Sequence, residues 1–365
     1  MTTLPDLRHG SGSLPDGWFR AALAPLGERP DHGSADRPAV LLARHYGIAA
    51  EIVPLASEVE RTDEVRTTSD RRLILKTSSR LEARESFAFQ AGVLAGLEPD
   101  ATVIAPRLIP TQGGSAMFHD GETCGYLQTR LDGTPLHDAA QTAATVFGTG
   151  QSLARLSLAL SLCNPPGARR AVLWHVGCWP ELSALSRHLE PGPLSDLVRR
   201  AMADHAEQVA PHLGALDWQI THNDLSPHNM LLTDSGTGFI DFGDGGWNPR
   251  LQDLAIAAGH MVTDSGQPLG GAEALIAGYA SVIPLSALDR RVLVGLMRAR
   301  QAALVLINAW RSHLFPDQAA YINKNVARAE RGLAILSRLD TRDAQSAIET
   351  ALVSPLPAPN QEDAS

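Results

Sequence analysis

The sequence predicts an α+β fold in two lobes, a small β-rich lobe followed by a larger helical one. Three features predict it. A chain of 365 residues is long enough for two domains or one bilobal unit. Strand-sized apolar runs cluster before about residue 131, and helical periodicity dominates from about Thr134 onward. Residues 1–34, rich in Gly, Pro, Asp and Arg around the apolar piece Trp18 to Leu26, read as a flexible, loosely attached extension with room for a brief helix. The small lobe is placed at 35–131. Within it residues 35–47 form a helix stopped by Gly47, and Ile52 to Leu55 and Arg72 to Lys76 form strands. A helix over Leu81 to Leu97 carries apolar residues at 87, 91, 94 and 97, and Gly114 to His119 and Gly125 to Thr129 are further strands. The large lobe, 132–345, holds helices over Asp138 to Leu162, Leu194 to His212 and Pro284 to His313, the last capped by Ser286 with Asp289 three residues on. Residues 346–365 read as a flexible tail, and from Ser354 onward they are polar and Pro-rich.

Composition narrows the function classes. A formal net charge of −9, with no long Lys/Arg block, argues against a nucleic-acid partner. Cys124, Cys163 and Cys178 are an odd number without CxxC spacing, which argues against a disulfide framework and a zinc site and fits a reducing cytoplasm. No basic segment leads into an apolar run at the N-terminus, and no apolar stretch of about 18 residues suggests a membrane partner.

The chemistry is concentrated between Gln219 and Val262. His222-Asn223-Asp224 is followed by Asn229 five residues after the Asp, and then by Asp241-Phe242-Gly243 at the end of an apolar piece. A hairpin of Met230 to Thr233 with Gly238 to Ile240 would place Asn229 before its first strand and Asp241 at the end of its second. Phosphoryl transfer needs an aligned hydroxyl, a group to take its proton, and cations to neutralise a triphosphate. Asp224 suits the proton, and the side-chain oxygens of Asn229 and Asp241 suit Mg²⁺.

This HNDLSPHN…IDFGD segment resembles the Brenner motif of the aminoglycoside phosphotransferase and choline kinase superfamily, which has the protein-kinase-like fold. Within it the chain is most similar to hydroxylysine kinase-like phosphotransferases, on YLQTRLDGTPL at 126–136, RRAVLWHV at 169–176, DLAIA, and RARQAALVLINAWRSHLFPDQAAYI. The resemblance covers roughly residues 37–340. It implies a kinase that uses Mg²⁺ and either ATP or GTP to phosphorylate a hydroxyl of a small molecule, an amino alcohol or a hydroxylysine-like hydroxy amino acid. The alternatives are an antibiotic-modifying, aminoglycoside-type kinase and a catalytically dead pseudokinase. It further implies that Lys76 contacts the α- and β-phosphates. Gln128, Thr129, Arg130 and Leu131 would form the hinge that bonds the base, with His222 and Asp253 supporting the catalytic loop.

The chain also departs from that pattern. No Gly-rich GxGxxG precedes Lys76, and SEVERTDEV at 57–65 stands at the place of the family's Ser-Glu-containing loop. No Glu lies where the following helix should pair with Lys76. Stepping from Phe87 by three and four gives Gln90 and Leu94, so the inward partner is an amide, and Glu85, about 200° from Phe87, faces solvent. Protein-kinase activity is disfavoured by Asn223 in place of the Arg of HRD and by the lack of an APE sequence. Asp244 is the candidate partner for a substrate amine. Trp247 and Arg250 could touch the acceptor or form an exposed turn. Arg300 could bind a substrate carboxylate, although a helix-surface ion pair is favoured. His228 is assigned to the loop surface.

Overall fold

The computed structural model describes residues 14–29 and 37–354. Residues 1–13 and the tail beyond Ser354 lie outside the described residues. The first helix, α1 (Trp18–Leu23), and the 3₁₀ turn after it (Ala24–Gly27) are not loosely attached. Trp18, Ala22 and Leu26, four residues apart, are all buried in the main core, and Arg80 donates to the carbonyls of Pro25 (2.8 Å) and Arg29 (2.6 Å). An apolar stripe of that spacing is held by burial, which corrects the reading of a flexible extension for this part of it.

Helix α2 (Arg37–Tyr46) packs on an antiparallel sheet of β1 (Ala50–Leu55), β2 (Arg61–Thr67), β3 (Arg72–Ser78), β4 (Leu108–Ile109), β5 (Phe118–Asp120) and β6 (Thr123–Thr129). The order is β1-β2-β3-β6-β4, with β5 also paired to β6. Successive side chains of a strand point to opposite faces. Leu73 and Leu75 of β3 and Leu127 of β6 therefore meet Leu41, Leu42 and Tyr46 in a small core under α2. Ile74, Lys76 and Ser78 face the cleft between the lobes. Helix α3 (Ala83–Leu97) covers that second face, with Phe87 edge-on to Tyr126 at 5.5 Å. The strand β2 lay where a loop was expected, because its sequence RTDEVRT has no apolar alternation. Its buried polar groups pair instead, Arg61 with Asp63 (2.8 Å) and Glu64 with Arg72 (2.6 Å). The segment expected as a strand from Gly114 turns at Gly114 (φ 79°) and becomes extended only at Phe118.

The larger lobe contains β7 (Thr134–Pro135), β8 (Trp218–Thr221), β9 (Met230–Thr233), β10 (Gly236–Phe239) and β11 (Gly246–Pro249). Its helices are α4 (Ala143–Ser161), α5 (Trp179–Leu182), α6 (Pro193–Asp204), α7 (Leu251–Met261), α8 (Glu273–Ala280), α9 (Ala287–Leu314), α10 (Ala319–Ile322), α11 (Val326–Leu336) and α12 (Thr341–Val353). Residues 138–141, expected to be helical, precede the Thr142 cap, whose hydroxyl accepts from Thr145 N–H (3.1 Å). After α6 the coil widens and then tightens over His205–Val209 and Ala210–Ala215 in place of one straight helix. Residues 346–353, assigned to a flexible tail, belong to α12, where Ile348 and Ala351 are buried.

Two contacts set the stage for the site. Helix α4 crosses α8 so closely that a Cβ at Gly150 would lie 2.1 Å from the Leu275 carbonyl oxygen, and α4 also holds β10 through Thr149 Oγ1 to Thr237 Oγ1 (2.9 Å). Helix α9 starts with a reciprocal cap, Asp289 N–H to Ser286 Oγ (3.0 Å) and Ser286 N–H to Asp289 Oδ2 (2.9 Å), worth about 1 kcal/mol. It is long and apolar enough to cross a bilayer by composition, but it is mostly buried among the other helices, as a core helix is.

Candidate active site

The strand β8 leads into the loop 222–229, and β9 and β10 form a hairpin across Asp234-Ser235. Ile240 N–H donates to Asn229 O (3.1 Å), so the hairpin closes with Asn229 and Asp241 side by side at one end. Asn223 and Asp241 both adopt the left-handed backbone (φ 65° each), which short polar side chains tolerate better than bulky ones. Asp253 of α7 stabilises the first of these turns. Its two carboxylate oxygens accept from His222 N–H (2.9 Å) and Asn223 N–H (2.8 Å). Asp253→Ala would leave two buried N–H groups unpaired, so we expect it to lower unfolding stability by roughly 2–4 kcal/mol, measured by urea denaturation. A loss under 1 kcal/mol would mean that the loop holds itself.

His222 is buried and neutral. Burial pulls its pKa down to about 4, with the Ile240 carbonyl and Asp241 opposing that shift. Its Nε2–H donates to Ile240 O (3.0 Å), while Nδ1 accepts from Asp224 N–H (3.3 Å). The ring lies 4.6 Å from that of Phe242. His222 thus joins the loop to the segment carrying Asp241, with its one N–H committed to Ile240 O.

Asp224 is half-buried. Asn229 Nδ2 donates to its backbone oxygen (3.0 Å) and to its Oδ2 (2.6 Å). Burial raises the Asp224 carboxyl to about 6, Arg300 opposing the rise while Asp241 and Glu58 add to it. Asp244 lies in the same cleft. Burial and the charges of Asp224, Asp241 and Glu58 hold its pKa well above the ordinary carboxylate value.

Lys76 Nζ has three acceptors: Asp241 Oδ1 (2.8 Å), Glu60 Oε1 (2.9 Å) and Gln90 Oε1 (3.2 Å). Burial alone would lower its pKa, but Asp241 and Glu60 overcome that and hold it well above the usual value. Gln90 is completely buried and also accepts from Tyr126 Oη (2.9 Å). The helix therefore supplies an amide, and the second carboxylate comes from Glu60, just before β2. Nothing in the sequence SEVER assigns Glu60 to this role, since a loop Glu carries no periodic signal. The neighbouring Glu58 is ion-paired with Arg311 of α9, which ties the same loop to the larger lobe.

The fit of a cation can be tested on these side chains. Asn229 spends its amide N–H groups on Asp224, and Asp241 spends Oδ1 on Lys76 and on Gly243 N–H (3.3 Å). Asn229 Oδ1 and Asp241 Oδ2 have no hydrogen bond among the described residues. Two uncommitted hard oxygens beside a cleft suit Mg²⁺, which takes few protein ligands and keeps water and phosphate oxygens. Among the described residues no group of three His, Cys, Asp or Glu forms an all-protein metal cage.

Other expectations change. Gln128, Arg130 and Leu131 line the cleft, but Thr129 does not. Its N–H donates to Arg107 O (2.8 Å), and Arg130 N–H donates to Arg72 O (3.0 Å), so both amides are used within the small lobe. Trp247 and Arg250 lie outside the cleft. The strand β11 runs away from it along β8, Trp247 stacks under Arg169 (4.8 Å), and Arg250 pairs with Asp217 (2.9 Å). Arg300 is no surface residue; it is 4% exposed and lines the cleft. His228 is also half-buried in the cleft, its ring 3.9 Å from that of His137. Arg170, in the RRAVLWHV segment, donates to Gly243 O and stacks on Phe89 (4.0 Å), bracing the turn after Asp241. The cysteines are free thiols.

A cleft of about 750 Å³ lies between a sheet bearing a buried lysine and a loop bearing Asp224, Asn229 and Asp241. The family model "Phosphotransferase enzyme family" matches residues 51–291, which span both lobes and the whole of this loop. The chain belongs to the phosphotransferase enzyme family. Among curated relatives, a hydroxylysine kinase from Danio rerio is 23% identical over 319 residues, covering 82% of this chain and 89% of that protein. A homoserine kinase from Brucella anthropi is 26% identical over 300 residues, covering 79% and 87%. Among solved structures, the amicoumacin kinase hAmiN superposes with a TM-score of 0.61 at 12% identity, over 85% of this chain and 95% of that one. A microcompartment-associated aminopropanol kinase gives 0.57 at 20% identity, over 85% and 98%. These phosphotransferases share the two-lobed kinase-like fold expected from the sequence.

Proposed function

We propose that this phosphotransferase is a Mg²⁺-dependent kinase that moves the γ-phosphoryl group of ATP or GTP onto a hydroxyl of a small, amine-bearing acceptor, an amino alcohol or a hydroxylysine-like hydroxy amino acid. The observation that carries this reading is the placement of three carboxyl groups, Asp224, Asp241 and Asp244, around one cleft wall, with Lys76 on Asp241 and Asn229 on Asp224. Burial and mutual repulsion make such a cluster costly until cations enter it.

Asp224, fixed by Asn229, would accept a hydrogen bond from the acceptor hydroxyl and take its proton as the phosphoryl group arrives. Lys76 would turn from Glu60 and Asp241 to the phosphates of the nucleotide. Asn229 Oδ1 and Asp241 Oδ2 would hold Mg²⁺, which when bound offsets the charge of the triphosphate. Asp244 would pair with the ammonium of the acceptor, which relieves the repulsion that raises its pKa. The missing helix Glu does not favour a pseudokinase, because Glu60 supplies the carboxylate that Gln90 lacks.

Replacement of Asp244 by Asn is expected to raise the acceptor KM roughly 30-fold or more, the lower end of what losing a buried ion partner costs, with the nucleotide KM unchanged. Wild-type acceptor kinetics in that variant would remove Asp244 from the site. The reading as a whole is tested by a coupled nucleotide-consumption screen over amino alcohols, hydroxy amino acids and aminoglycosides. Turnover confined to aminoglycosides would favour the antibiotic-modifying alternative, and no turnover with any compound would contradict a kinase.

A further inference from the structure

Arg300 is a buried cleft residue whose charge the proposed mechanism leaves idle. It lies on α9 with its guanidinium 4.0 Å over the ring of Trp174. Its nearest anion is Asp224, Nη2 to Oδ1 at 3.7 Å, beyond hydrogen-bond length. Its Nε and Nη1 atoms are buried and have no hydrogen-bond partner among the described residues. Burying a guanidinium with unmade hydrogen bonds is expensive, and burial depresses its pKa with only Asp224 and Asp244 acting against that. A stacked guanidinium with unmade hydrogen bonds is suited to a carboxylate partner.

The surroundings say which anion. The charges that act on Arg300 are Asp224 and Asp244, whereas Lys76, at the nucleotide end, is engaged by Asp241 and Glu60. Arg300 thus stands on the acceptor side of the proton-accepting group. Lys324, whose ammonium lies 4.1 Å over the Tyr321 ring, lines the same pocket and adds a second positive charge there. The acceptor pocket thus holds a cationic part, Arg300 and Lys324, and an anionic one, Asp244. An amino alcohol would satisfy only the anionic half, and a polycationic aminoglycoside would meet Arg300 and Lys324 with like charge.

We propose that Arg300 anchors a carboxylate of the acceptor, so that the substrate is a zwitterionic hydroxy amino acid and not the corresponding amino alcohol. The inference rests on the kinase reading and narrows its substrate class. In it the carboxylate of the acceptor pairs with the guanidinium of Arg300, its ammonium meets Asp244, and its hydroxyl is delivered to Asp224. Arg300 is therefore a specificity residue, acting on acceptor selection and not on the transferring group.

The test uses matched pairs that differ by one carboxylate: L-homoserine against 3-aminopropan-1-ol, and 5-hydroxylysine against 1,5-diaminopentan-2-ol. For at least one pair, wild-type kcat/KM is expected to favour the amino acid by about 10²-fold, as loss of a buried charge partner predicts. Arg300→Gln should bring that ratio to within a few-fold of unity, through the KM of the amino acid, with the nucleotide KM unchanged. The wild-type ratio stands even if the variant folds poorly. Equal or better use of the amino alcohols would overturn the anchor while leaving the kinase intact. So would an Arg300→Gln enzyme that loses kcat for both members alike, because that places Arg300 on the phosphoryl group. Absence of nucleotide consumption with all four compounds and throughout the wider screen would overturn the kinase reading and the anchor together.

Discussion

Asp224→Asn is expected to lower kcat by roughly 10²- to 10⁴-fold while leaving the nucleotide KM nearly unchanged, the range typical of losing a positioned general base. The substitution is close to isosteric, and an Asn carbonyl at 224 still accepts from Asn229 Nδ2, so the loop has little reason to move. What is lost is the capacity to take a proton. The pH profile separates this from a structural effect. A base must be ionised to act, and burial raises the Asp224 carboxyl to about 6. Wild-type kcat/KM should therefore climb as pH rises through an apparent pKa near 6 and flatten above it, and the Asn variant should lack that limb. Near-normal turnover in Asp224→Asn would remove the residue from the mechanism.

Asp241→Ala is expected to abolish Mg²⁺-dependent nucleotide binding, and to do so more completely than Asn229→Ala. A carboxylate offsets cation charge and an amide does not. The structure adds a second reason: Asp241 also holds Lys76 at 2.8 Å, so its removal frees the lysine to swing fully to Glu60. Asn229→Ala removes one oxygen and the donor that fixes Asp224, and should therefore cost more in kcat than in nucleotide affinity. Calorimetric titration of nucleotide with and without Mg²⁺ distinguishes the two. Equal magnesium affinities in both variants would contradict this division of roles.

How much of this was legible in the sequence depended on whether a signal was local. The pairing of Asn229 with Asp241 could be read because spacing and a turn in DSGTG bring them to one end of a hairpin, although the turn is only Asp234-Ser235 and the second strand begins at Gly236. Gln90 could be read because helical stepping from Phe87 fixes which side chain points inward, and it bonds Lys76 as that geometry requires. Glu60 could not, because a loop carboxylate has no period, and the polar strand beside it hid its own register. Trp247 and Arg250 follow Asp241 closely in sequence, but β11 carries them away along β8, and only the pairing reveals that. Arg300 had a signal that was not used. Positions 293, 296, 297, 304 and 307 share its helical face and are all buried apolar residues, which places a lone Arg in the interior.

Phosphate transfer to a hydroxyl held at Asp224 is open to direct measurement. The most direct measurement is phosphorus NMR of the enzyme with Mg²⁺, ATP and L-homoserine or 5-hydroxylysine, followed over time beside Asp224→Asn. We expect a phosphomonoester resonance to grow in step with ADP in the wild-type reaction and to be nearly absent in the variant. Nucleoside diphosphate appearing with inorganic phosphate alone, or a phosphomonoester formed equally well by Asp224→Asn, would contradict the account.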